Sequence, residues 1–207
     1  MSYVVAFLLA MILTIVMNFL HINPTVAIII TFLVVLFVLS YPVLRIILWE
    51  TNVTKIEKFL LKKKKNPIYH LIYALANELD EEVEESVNKL LNKHKQEQKQ
   101  ALYKAMHALY KKELMTAKEE IEKIKPIDYK NYYKAAVLIE ESNYSEAEVL
   151  INQISTIWMK NALLSDLEKQ QDNYQEALSL AKTALQQSKG LNRYTLYKTY
   201  QREFPEM

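Results

Sequence analysis

Cysteine is absent from the 207 residues, and glycine occurs once, at Gly190. Without cysteine there is no disulfide framework, no thiolate metal site and no cysteine nucleophile. One glycine excludes the Gly-rich phosphate loop and the dinucleotide fingerprint, both of which need backbone that glycine alone allows. β-turn chemistry is nearly missing as well, and long helical periodicity fills the space between short breaks, so an all-α chain is expected. The remaining lack is charge. Met1 to Leu44 contain no Asp, Glu, Lys or Arg, and all 26 basic and 24 acidic residues fall from Arg45 onward.

Charge segregated in this way suits a surface that faces hydrocarbon. Two apolar runs, about residues 3–20 and 26–44, are each close to the roughly 20 residues that cross a bilayer core. His21-Ile22-Asn23-Pro24-Thr25 between them reads as a tight turn, with Thr25 as the expected cap of the second helix. The expectation is a transmembrane helical hairpin over residues 1–48. The first run has neither a basic leader nor a small-x-small cleavage site, which argues against a signal peptide. Arg45, Lys55, Lys58 and the run Lys62, Lys63, Lys64 and Lys65 follow the second span, while the turn carries no Lys or Arg. By the positive-inside rule both termini face the cytoplasm in a cell-membrane protein of two spans. Trp49 falls where an interfacial aromatic belongs, and Pro42 should loosen the second helix near its end.

Residues 49–65 keep an apolar stripe of Ile46, Ile47, Trp49, Val53, Ile56, Phe59 and Leu60, carried over from the end of the second span, beside a basic face. Two readings stand open: a helix lying in the headgroup layer, or the first packing helix of the following domain. Lys62 to Lys65 are candidate contacts for anionic lipid headgroups, at about 1 kcal/mol each near a membrane surface. A topology signal alone also explains them.

Residues 66–207 repeat. At an offset of 30, Leu114, Tyr144 and Tyr174 align, then Ala117, Ala147 and Ala177, then Ile121, Ile151 and Ala181, then Ile124, Ile154 and Ala184. Upstream helices align too, Leu102 with Tyr132 and Ala162, and Ala105 with Ala135 and Ser165. A fainter copy places Ile72 and Leu75 on a first helix and Val87 and Leu91 on a second. Small residues recur because two antiparallel helices approach closely only where small side chains meet. One hairpin cannot bury both of its faces, so neighbours must stack. The last helix, about Asn192 to Glu203, is expected to cap the stack, with Gly190 as the C-cap before it.

Asn143-Tyr144-Ser145-Glu146-Ala147 and Asp172-Asn173-Tyr174-Gln175-Glu176-Ala177-Leu178, with Ala184-Leu185 beyond, resemble the second helix of a tetratricopeptide repeat. The chain departs from that family in its period of 30 against about 34, in lacking the aromatic signature of the first helix, and in having no proline to close each unit. The resemblance implies an α-solenoid with a groove along its first helices. Groove residues would be Met106, Leu109 and Tyr110, then Tyr129, Tyr132 and Ile139, then Asp166 and Lys169. Packing between hairpins is the competing role for each tyrosine.

No catalytic constellation is present, and no catalytic, cofactor or metal residues are expected. His21, His70, His94 and His107 are scattered without acidic partners at ligand spacing, and the acids from Asp80 to Glu85 suit the first turn of a helix. A net charge of +2 does not fit a dedicated nucleic-acid binder. Neither an enzyme nor a small-molecule substrate is expected. What remains is a membrane-anchored adaptor that binds a protein segment, or an accessory subunit whose hairpin makes the main contacts with a membrane complex.

Overall fold

In the computed structural model, which describes residues 2–206, every regular element is helical. Met1 and Met207, the outer bounds expected for the anchor and the repeat domain, lie outside the described residues. The chain divides into two units, Met1–Glu50 and Thr51–Met207.

In the first unit α1 (Ser2–Phe19) packs against α2 (Pro24–Leu48). His21 turns the chain through the left-handed region at φ 53°. The cap of α2 is Asn23 rather than Thr25: its side-chain oxygen accepts from the Thr25 N–H at 2.9 Å. Pro24 at the first helical position explains the shift, because it has no N–H and its fixed φ already suits a helix start. α2 continues through Pro42 and buries none of its residues. Its 25 residues span about 37 Å, and it alone among the described helices is long and apolar enough to cross a membrane. The apolar part of α1, Val4–Phe19, is shorter.

The second unit opens with α3 (Val53–Lys62), capped by Asn52, whose side chain accepts from Lys55 N at 3.0 Å. Ile56, Phe59 and Leu60 are buried, and α3 packs on α4 (Pro67–Ala76) and on the last helix. Phe59 meets the ring of Tyr69 edge-on at 5.1 Å. The stripe from Ile56 to Leu60 is therefore a packing face of this unit, while Lys62 to Lys65 are exposed.

Four helix pairs follow: α4 with α5 (Asp80–Lys93), α6 (Glu97–Tyr110) with α7 (Leu114–Ile121), α8 (Ile127–Glu140) with α9 (Tyr144–Gln153), and α10 (Ile157–Gln170) with α11 (Tyr174–Gln187). One backbone device makes all four turns. Glu78, Lys112, Ser142 and Asp172 sit at φ 54° to 62°, and the next residue's N–H reaches back five places to a helix carbonyl. Those bonds are Leu79 to Ala74, Glu113 to Ala108, Asn143 to Leu138 and Asn173 to Glu168, at 2.8 to 3.0 Å. This is the Schellman closure, built here without the glycine that usually relieves the Cβ clash of a left-handed residue.

The aligned small residues lie where the pairs touch. Ala105, Ala117, Ala135, Ala147 and Ala177 are fully buried, and the Ser165 hydroxyl donates to the Ala177 carbonyl at 2.8 Å. The upstream copy keeps a different register from the one its sequence suggests. Its left-handed residue precedes the next by 34 positions (112 − 78), whereas later copies repeat every 30 (142 − 112). Leu71 and Val83, buried, thus stand where Ala105 and Ala117 stand, and Ile72 and Leu75 are only half-buried. The extra turn belongs to α5, with 14 residues against 8 in α7. Its end is closed by Gln100, whose amide donates to Leu91 O at 2.9 Å and His94 O at 2.8 Å.

The last helix, α12 (Gly190–Glu203), does not merely cap one end. It packs on α11 and also on α3 and α4, burying Tyr194, Leu196 and Tyr200. Nor does Gly190 end the preceding helix. Ser188 caps α11, with its N–H on Ala184 O at 3.0 Å, and Gly190 is the buried first residue of α12 at φ 58°.

Candidate functional site

α12 is held by polar contacts to residues far away in sequence. Arg202 Nη1 donates to Ala76 O at 2.7 Å, and its Nε pairs with Glu78 at 3.0 Å. Asn77 Nδ2 donates to the Tyr194 hydroxyl at 2.8 Å, and that hydroxyl donates to Glu57 at 3.1 Å. Lys198 pairs with the same Glu57 carboxylate at 2.8 Å and holds its pKa below the usual range, with help from Tyr194 and against partial burial. Arg193 Nε donates to Thr51 O at 2.9 Å. Every one of these contacts joins the end of the second unit to its beginning.

Held there, α12 faces the first helices α6, α8 and α10 across a cavity of about 520 Å³. Six of the eight expected groove residues line it: Leu109, Tyr110, Tyr132, Ile139, Asp166 and Lys169. Met106 and Tyr129 do not, and Tyr129 is exposed on α8. From α12 come Thr195, Thr199 and Glu203, which the sequence pattern gave no reason to place beside the other helices. Their only sequence signal was the polar, tyrosine-rich character of the terminal helix.

The electrostatics of the cavity are uneven. Lys169 pairs with Glu203 Oε1 at 2.9 Å, and Lys112 lies 3.8 Å from Glu140. Asp166 has no hydrogen bond or ion pair among the described residues. It keeps partial contact with solvent yet is surrounded deeply by protein atoms. Burial first, then the charge of Glu203, push its carboxyl up to about 7, while Lys169 pulls the other way and Glu140 adds a little. Burial likewise raises the Tyr132 and Tyr200 hydroxyls well above the ordinary tyrosine range, with Asp166 adding to each. Tyr110 is pushed up to about 12 by burial and by its hydrogen bond to Asp80. Two polar atoms of α12 are buried without a partner among the described residues, the Tyr200 hydroxyl and Glu203 Oε2.

Two further places carry no comparable chemistry. A cavity of about 640 Å³ between α7, α8 and α9 is lined by Ile121, Val137, Leu138, Val149 and Leu150, with charged residues at its rim. Asp128 at the start of α8 instead serves as a clasp. Its carboxylate accepts from Ser155 N at 3.2 Å, Ser155 Oγ at 2.6 Å, Thr156 N at 3.1 Å and Thr156 Oγ1 at 2.6 Å. Those bonds hold its pKa down at about 2 and tie one pair to the next. His70 bonds Ser86 across the first pair and His107 bonds Glu84, so both act between helices. No group of three or more metal-ligating side chains occurs among the described residues.

Fold and cavity together define an all-helical, repeat-like chain with one apolar helix near its N-terminus fit to cross a membrane. No family model, no curated protein and no solved structure matches it.

Proposed function

We propose that the protein is a membrane-anchored adaptor. In this reading α1 and α2 form a two-span hairpin with both termini in the cytoplasm. The second unit is a tetratricopeptide-like α-solenoid that binds a polypeptide segment. The observation that carries it is the distribution of exposed apolar side chains. Most of the large ones lie between Val4 and Trp49, and beyond that stretch only scattered residues such as Met115, Val149 and Ile157 are exposed. A surface of that composition is stable in hydrocarbon and aggregates in water. The hydroxyls of Thr14 and Ser40 donate to the carbonyls four residues earlier, Ala10 at 2.8 Å and Leu36 at 2.7 Å, as a lipid-facing helix requires. Anchoring raises the local concentration of whatever the second unit binds. Alkaline extraction of membranes tests the anchor: the chain should stay in the pellet and require detergent. A chain that dissolves without detergent ends this reading. Protease treatment of sealed cells should leave residues 66–207 intact, and proximity labelling in the native membrane should mark a recurrent protein neighbour.

A second reading, an accessory subunit whose hairpin makes the key contacts, draws on Asn18 and Thr31. Asn18 is exposed on α1, and the Thr31 hydroxyl is buried without a partner. Both line one hollow of about 590 Å³ between α1 and α2, and such groups gain from hydrogen bonds to another helix in a membrane. Exchanging the hairpin for an unrelated anchor separates the two readings: retained function favours the adaptor, lost function the subunit.

A further inference from the structure

We propose that the cavity beneath α12 binds an alkylammonium group, with Asp166 as its counter-ion and the Tyr200 hydroxyl and Glu203 Oε2 as further acceptors. The inference stands on the cavity alone and survives failure of the adaptor reading, which membrane extraction tests separately.

Tyr200 is 1% exposed, and its hydroxyl has no hydrogen-bond partner among the described residues. Tyr200 packs behind the lining of the cavity, and its hydroxyl lies in the field of three residues that do line it, Asp166, Tyr132 and Glu203. Glu203 Oε2 is also without a partner, since Lys169 takes the other oxygen. Leaving a buried polar group unpaired costs about 1–3 kcal/mol, so the unpaired Glu203 oxygen on the lining, with the unpaired Asp166 carboxyl across the same void, marks a place built for an occupant. The groups select its charge. A carboxylate oxygen can only accept, and the Asp166 carboxylate is the one acid of the cavity whose charge no lysine pairs. An ammonium carries three donors and no acceptor, which matches oxygens that lack a donor. Tyr110, Tyr132 and Tyr133 line the same space and offer aromatic surface to the alkyl part of the ligand. Calcium or magnesium suits it poorly, because those ions take six or more oxygens, and two of the three lining carboxylates already pair with lysines. At about 520 Å³ the cavity admits an alkyl chain behind the charged head.

Titration follows from the surroundings. Asp166 faces Glu203 and Tyr200 from α12, Tyr132 and Glu140 from α8, Lys169 on its own helix, and Tyr110 and Lys112 from α6. Its carboxyl, raised to about 7, must lose its proton to pair with the ligand, while an alkylammonium stays charged throughout. Affinity should therefore rise roughly tenfold from pH 6 to pH 8.

The test is calorimetric titration of the detergent-solubilised full chain with n-butylammonium, with n-butanol as the neutral isostere. Two further arms distinguish the source of the amine: a short lysine-containing peptide and the same peptide with the lysine acetylated. The expected result is binding of butylammonium, the lysine peptide or both, tighter at pH 8, with neither butanol nor the acetylated peptide bound. Whichever amine binds more tightly identifies a free or a polypeptide ligand. Asp166→Asn should abolish binding together with its pH dependence. Tyr200→Phe, which removes only the partnerless hydroxyl, should keep or raise the Tm yet weaken binding at least threefold, an opposition that a structural role alone would not produce. Absence of binding by the parent chain at pH 8, equal binding of butanol, or full binding by Asp166→Asn each overturns the proposal.

Discussion

The two units are built from the same element and turn opposite faces to their surroundings. In Met1–Glu50 the α2 helix buries no residue, and phenylalanine, leucine and isoleucine lie open along its length. In Thr51–Met207 most of the large aliphatic side chains point inward, Leu163, Leu167 and Ile151 being fully buried, and most lysines and glutamates point outward. Neither arrangement is intrinsic to a helix. Each is what the backbone does once its own hydrogen bonds are closed and the side chains alone choose a solvent. The first unit is uniform around its helices; the second reads as stripes.

The strongest way to break this comparison is to make one change in both places. Leu163→Ala, in the buried cluster around Ile139 and Ile151, should cost about 2–5 kcal/mol in denaturant unfolding of the second unit. Leu36→Ala, on the exposed side of α2, should leave that transition within about 0.5 kcal/mol. Equal losses at the two positions would mean that α2 is also a packed core.

Two acids of the second unit, shifted in opposite directions, sharpen the contrast by pH. Asp166 is raised, so the folded state holds its proton more tightly than the unfolded chain does. The stability this gives is complete below about pH 4 and is lost as the pH rises through about 7. Asp166→Asn should therefore raise the Tm at pH 8 relative to the parent and change it little at pH 4. Asp128 is depressed, so its contribution is complete above about pH 4 and disappears as the pH falls towards 2. Asp128→Asn should lower the Tm at pH 7, and the difference should vanish near pH 2. A parallel response of the two variants would contradict the assigned surroundings. The smallest expected effect lies at a turn. Ser142 is exposed at φ 59°, so Ser142→Gly should stabilise by about 0.5–1 kcal/mol in thermal unfolding. Gln187→Gly, at the helical end of α11, should destabilise by a similar amount.

Several features were legible because they are local. The 30-residue recurrence placed Ala117, Ala147 and Ala177 at contacts, and all three are fully buried. The upstream register was not legible. Moving a helix by one turn leaves its apolar face unchanged, so spacings of 30 and 34 satisfy the same pattern. Of the cavity residues, Asp166 and Lys169 were among those the family resemblance implied for a groove, whereas Thr195, Thr199 and Glu203 come beside them only through the path of α12.

By itself the sequence determined where charge is allowed, how many helices there are to pair and which small residues let them touch. All of that is carried by spacings of a few residues. Only the tertiary structure decided that α12 returns to α3 and α4, that Arg202 meets Glu78 and Tyr194 meets Glu57, and that Asp166 is left without a cation. Contacts between residues more than a hundred positions apart leave no period in a single chain, because their partners are chosen by shape and burial after the local pattern is satisfied.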